Sequence, residues 1–126
     1  MRFLLVFGAG GAGCTVRYLI ALWIGPRAFP YATLVVNVIG SFLIALILEA
    51  SLRVASFPPS LRLALTTGFM GGLTTYSSFN YETTSLAAQG SSGRALLNVG
   101  ATLVGCVIAG LAGLWLARPE DRKSVV

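Results

Sequence analysis

Three stretches of this chain carry no charged residue, and each is as long as a membrane is thick. No Asp, Glu, Lys or Arg lies between Arg27 and Glu49, between Arg62 and Glu82, or between Arg94 and Arg118, leaving runs of 21, 19 and 23 residues. About 20 apolar residues in a helix cross a hydrocarbon layer of roughly 30 Å. Each run therefore predicts one crossing. The stretch from Arg2 to Arg27 is interrupted only by Arg17 and predicts a fourth. Only 10% of the 126 residues are charged and 56% are hydrophobic, whereas soluble domains are about 25% charged. A soluble domain, a disordered chain and a nucleic-acid binder are thereby excluded, and the length holds a single domain.

The expected organisation is one all-α transmembrane domain over 1–126, with helices at about 3–24, 31–53, 61–88 and 94–117 and a charged, frayed tail at 118–126. The links 25–30, 56–60 and 89–93 are rich in Gly, Pro and Ser, the residues of turns. Arg2 followed by Phe3 to Phe7 has the look of a signal peptide. However, Gly11 sits where cleavage before Cys14 needs a larger apolar residue, and apolar character resumes from Tyr18 to Ile24. The expectation is a retained helix. Four crossings put both termini on one side, with Arg2, Arg53, Arg62, Arg118, Arg122 and Lys123 against Arg27 and Arg94 on the other. That bias favours termini inside the cell.

Much chemistry is excluded by what is missing. The sequence has no His and four acidic residues, and Cys14 and Cys106 lie in apolar runs without Cys-x-x-Cys spacing. Zinc sites and His-based triads are ruled out, and no paired carboxylates or cofactor motif point to an enzyme. The two cysteines read as small buried hydrophobes.

Polarity enters the membrane in an organised way. In the third segment, nine of the 20 residues from Thr66 to Ser85 are Ser or Thr, too many for a lipid-facing helix. Gly71-Gly72 at mid-span predicts a loosened helix there, and broken backbone at membrane depth is tolerated only where it is buried or lines a cavity. Such breaks are also where ions bind, through freed carbonyls and helix N-termini. The second segment places Thr33, Asn37 and Ser41 four apart on one face. Asn37 serves either a helix–helix hydrogen bond or a hydrated path. The fourth segment adds Asn98, Thr102 and Cys106 at the same spacing. Hydroxyl and amide donors can replace water around an anion, and aromatic ring edges are electropositive. Such a lining favours a small anion.

Two charges need partners. Arg17 and Glu82 fall at similar depth, and an isolated charge in the core costs about 2.5–3.5 kcal/mol on insertion scales, so an Arg17–Glu82 interaction is expected. Glu49 and Arg53, at i and i+4, predict an exposed pair. Ala101, Gly105, Ala109, Gly113 and Ala117 form a small-residue stripe, and residues 8–13 a Gly-rich patch. Both invite close helix packing, either within a subunit or between two.

The run Gly68-Phe69-Met70-Gly71-Gly72-Leu73-Thr74-Thr75-Tyr76-Ser77-Ser78-Phe79, with Glu82, resembles the signature of the CrcB/Fluc fluoride channels. The run from Thr33 to Gly40, the Gly-rich first segment with Arg17, the four crossings and the length are similar too. The resemblance implies an antiparallel, dual-topology homodimer of four-helix subunits in the plasma membrane of a prokaryote, with the third helix broken at mid-membrane. It implies two pores that passively export toxic fluoride. It further implies a structural Na⁺ between the subunits, held by the backbone carbonyls of Gly71 and Thr74. Along each pore it places the amide of Asn37, the aromatics Tyr76 and Phe79, and the hydroxyls of Thr75, Ser77, Ser78 and Thr102. This chain departs from the family at Tyr76, where Phe is usual, at Asn98, where the family carries Tyr, and at Cys106, where it carries a hydroxyl.

Two other classes compete. A small multidrug-type proton-coupled exporter has the same length and four helices, but needs an acidic residue in its first helix, where this chain has Arg17 and no acid. A structural subunit of a larger membrane complex would show small-residue stripes without the hydroxyl-rich third segment.

Overall fold

The computed structural model describes residues 1–118. The expected tail, with Arg122 and Lys123, lies outside the described residues. The described chain is all-helical: α1 (Arg2–Ile24), α2 (Tyr31–Arg53), α3 (Pro59–Leu63), a π-helical stretch (Ala64–Met70), α4 (Gly71–Leu73), α5 (Tyr76–Ala88) and α6 (Ser92–Ala117). Three of these, α1, α2 and α6, are long and apolar enough to cross a membrane. The third expected segment is instead a broken helix assembled from α3 through α5. Gly25 and Gly90 turn the chain after α1 and α5 with positive φ of 74° and 84°, a backbone state that glycine adopts without steric cost.

Two close contacts hold the bundle. The small-residue stripe of α6 packs on α2 within the chain: Gly113 lies under the Phe42 carbonyl, and an added Cβ there would stand 3.1 Å from Ala45 Cβ. The Gly-rich patch of α1 packs on the broken helix. Gly13 faces the Phe69 backbone, and Gly72 faces the Gly10 carbonyl. Glycine lets these backbones approach where any side chain would hold them apart.

The core is thin, centred on Val36, Met70 and Leu73. Large apolar side chains cover the outside, among them Phe3, Phe7, Trp23, Leu96 and Val107. An apolar exterior this extensive suits lipid or another chain, not water.

Two expectations are corrected. The helix does not loosen at Gly71-Gly72, which lie inside α4; it breaks at Thr74 and Thr75, whose backbones are extended (ψ 155° and 121°). Gly72 serves close packing against α1, and the break is held by a side chain from α2. Arg17 and Glu82 do not pair. Arg17 Nε donates to the Gly72 carbonyl at 3.1 Å, and Glu82 Oε1 accepts from Thr33 Oγ1 at 2.7 Å. The break supplies a carbonyl within reach of the guanidinium, so the arginine needs no carboxylate. At the end of α2, Glu49 pairs with Arg118 at 2.6 Å as well as with Arg53 at 3.4 Å.

Candidate functional site

The site is built around the two extended residues. Asn37 reaches across from α2 and grips Thr75 with both ends of its amide. Its Nδ2 donates to the Thr75 carbonyl at 3.0 Å, and its Oδ1 accepts from the Thr75 N–H at 2.9 Å. Upstream, the N–H and the hydroxyl of Thr74 both donate to the Met70 carbonyl, at 3.0 and 2.9 Å, and close α4. Downstream, the Thr75 hydroxyl caps α5 by accepting from the Ser78 N–H at 3.3 Å, as threonine does at helix starts.

These side-chain bonds change the backbone account. In an unbroken helix the Thr75 N–H would donate to the Gly71 carbonyl, and the Ser78 N–H to the Thr74 carbonyl. Both N–H groups are instead taken by side-chain oxygens. The carbonyls of Gly71 and Thr74 are released from those donors, while the Gly72 carbonyl between them meets Arg17. Two freed oxygens with no nitrogen or sulfur ligand form a donor set suited to a hard cation, which fits the Na⁺ that the family resemblance implies.

A cavity of about 770 Å³ lies along the break. Of the residues expected on the pathway, Asn37, Thr75, Tyr76, Phe79 and Thr102 line it, together with Gly71 and Thr74. No charged side chain is among its lining. Phe79 is nearly buried while Tyr76 is 77% exposed, and their rings stand 5.8 Å apart at 58°, within the range of tilted aromatic pairs. Thr102 Oγ1 is buried without a hydrogen-bond partner. A buried hydroxyl left in that state costs about 1–3 kcal/mol.

The structure separates the other expected residues. Ser78 lines a second cavity of about 350 Å³ with Arg17, Thr33, Thr75 and Glu82. Thr75 borders both cavities. Arg17 and Glu82 therefore share a space without touching. Ser77 is exposed and lines neither cavity; its hydroxyl is 3.4 Å from that of Thr75. Asn98 turns away from the larger cavity and bonds to Thr83, and Cys106 is half-buried.

Some lining residues entered the sequence reading only as members of polar rows, without an assigned place on the pathway. Ser41, Thr66 and Thr67 border the larger cavity. Ser41 shares a helix face with Asn37, and Thr66-Thr67 open the hydroxyl-rich run, so the signal was present in the spacing. Thr66 is itself occupied, donating to the Arg62 carbonyl at 2.7 Å.

Comparison with known proteins follows the same lines. The family model described as "CrcB-like protein, Camphor Resistance (CrcB)" matches residues 4–114. A protein of Anaeromyxobacter sp. strain K, named fluoride-specific ion channel FluC, is 50% identical over 121 residues, covering 93% of this chain and 95% of that protein. Proteins of the same name from Geobacter metallireducens and Geobacter sulfurreducens are 48% and 50% identical over 112 and 116 residues, covering 86% and 90% of this chain and 90% and 92% of theirs. With a family match that spans nearly the whole chain and relatives half identical along almost their full length, this chain belongs to the CrcB family.

Proposed function

We propose that this protein is a passive, fluoride-selective ion channel that releases toxic fluoride from the cytoplasm across the plasma membrane of a prokaryote. The observation that carries this reading is the uncharged cavity at the helix break, whose largely apolar wall, with Ile44, Leu48, Met70 and Leu103, carries hydroxyls, one amide and an aromatic pair. It occurs in a chain half identical to proteins named fluoride-specific ion channels. It is the reading of a channel and not of an enzyme.

The residues divide the work by their chemistry. One amide hydrogen of Asn37 is held by Thr75, and an amide carries two, so the other can meet an anion. The hydroxyls of Thr75, Ser77, Ser78 and Thr102 exchange for water around the ion. The edges of Tyr76 and Phe79 offer weak positive charge, and the Tyr76 hydroxyl adds a donor that phenylalanine lacks. Selection comes from how well these donors replace hydration.

In this reading the working unit is an antiparallel homodimer of four-crossing subunits with two pores. The apolar exterior, and the freed carbonyls of Gly71 and Thr74 beside the exposed Gly71, support an assembly in which two broken helices meet. Those carbonyls would hold a structural Na⁺, which supplies a fixed positive charge and joins the subunits.

Fluoride efflux from liposomes holding purified protein tests the function. A fluoride electrode should record fast release that depends on valinomycin, with no release of chloride from chloride-loaded vesicles. No release from well-inserted protein would overturn the reading in favour of a proton-coupled exporter or a structural subunit. Phe79→Ile should lower fluoride flux about two- to tenfold, since an aromatic contact is worth about 0.5–1.5 kcal/mol, and should leave the gel-filtration profile unchanged. Undiminished flux would remove Phe79 from the pathway.

A further inference from the structure

Two consecutive residues of α5 are held from two different helices. On one side Thr33 of α2 donates to Glu82. On the other, Asn98 Nδ2 of α6 donates to Thr83 Oγ1 at 2.8 Å. The Thr83 hydroxyl then gives its own proton to the Phe79 carbonyl at 2.7 Å. Asn98 is 1% exposed and is not among the residues lining the larger cavity. Phe79 does line it, at 9% exposure.

We infer that Asn98 is a positioning residue for Phe79: acting through Thr83, it sets the rotation of α5 and so the angle at which the Phe79 ring meets the cavity. A hydroxyl has one proton and can accept as well, and Thr83 uses both capacities in line. Residues 79 and 83 are four apart and share a helix face, so a peg at Thr83 is a peg under Phe79. α5 needs one. It begins straight after two extended residues, so α4 cannot dictate its rotation, and its main neighbour is α6. An amide buried between apolar helices is costly unless bonded. Turning α5 by one residue, about 100°, would carry Thr83 away from Asn98 and leave that amide bare. One rotation is thereby favoured.

For its flux measurement the proposal rests on the fluoride-channel reading; its spectroscopic measurement stands without it. Para-fluorophenylalanine placed at position 79 reports the ring's surroundings by fluorine NMR, and liposome efflux reports function. Thr83→Val keeps the shape and removes the hydroxyl, Asn98→Leu removes the amide, and Thr83→Ser keeps the relay. Thr83→Val and Asn98→Leu should each broaden or shift the fluorine line and lower flux about tenfold, the effect of one broken buried hydrogen bond. The double variant should be no worse than the weaker single one. Thr83→Ser should match the wild type in both measurements. Should Thr83→Val not fold, Asn98→Leu against Thr83→Ser makes the same comparison. An unchanged line in Asn98→Leu, or losses that multiply in the double variant, would overturn the relay. A wild type without flux but with a line that responds to Asn98→Leu would overturn the channel reading and keep the positioning role.

Discussion

Fluoride flux should fall by about a hundredfold or more when Asn37 is replaced by alanine, since two part-buried backbone groups of Thr75 lose their partners at about 1–3 kcal/mol each. At about 1.4 kcal/mol per decade, a combined loss of about 3 kcal/mol, well inside that range, reaches a hundredfold. The substitution acts twice. It removes an amide from the cavity wall, and it takes away the grip on both backbone groups of the extended Thr75. Either change harms the pathway proposed at the break. Liposome efflux measures the loss, and helix content by circular dichroism should stay as in the wild type. Flux equal to the wild type would show that the grip of Asn37 on Thr75 has no part in conduction.

Adjacent glycines should behave in opposite ways. A Cβ on Gly72 would run into the Gly10 carbonyl and stand 2.9 Å from the Cys14 nitrogen, both rigid backbone. Gly72→Val is therefore expected to cost more than about 3 kcal/mol, the upper range for overpacking, and to abolish the monodisperse protein on gel filtration. At Gly71 the nearest obstacle, the Thr66 carbonyl, is 3.9 Å away. Gly71→Val should therefore fold as a subunit, and any defect should appear only in dimer formation, read by cross-linking in liposomes. Equal yields of the two variants would show that α1 and the broken helix are not packed as described.

How much of this was legible in the sequence depends on range. The apolar segments followed from the charge-free runs, because the membrane penalises charge residue by residue. The polar row of Thr33, Asn37 and Ser41 followed from helical spacing. Two conclusions failed for a shared reason. Gly71-Gly72 looked like a break because isolated helices tolerate glycine poorly, yet here the pair is helical and Gly72 packs against α1. The break falls at Thr74 and Thr75, where Asn37, far off in sequence, captures a backbone N–H. Arg17 was matched to Glu82 by depth and sign. Its true partner, a backbone carbonyl, becomes available only once the helix is folded and broken. Spacing could align Asn98 with Thr102 but could not show that one turns to α5 while the other faces the cavity. The π-helical stretch had no sequence mark at all.

The diverted N–H groups of Thr75 and Ser78 carry a consequence for how the proposed cation site would be inherited. Oxygens offered by Gly71 and Thr74 belong to the main chain, so they persist whatever side chains stand at those positions. Their availability is decided elsewhere, by Asn37 and by the hydroxyl of Thr75. A lineage could therefore erase the site without touching either residue that forms it, and a search for its ligands by residue type would find nothing to align.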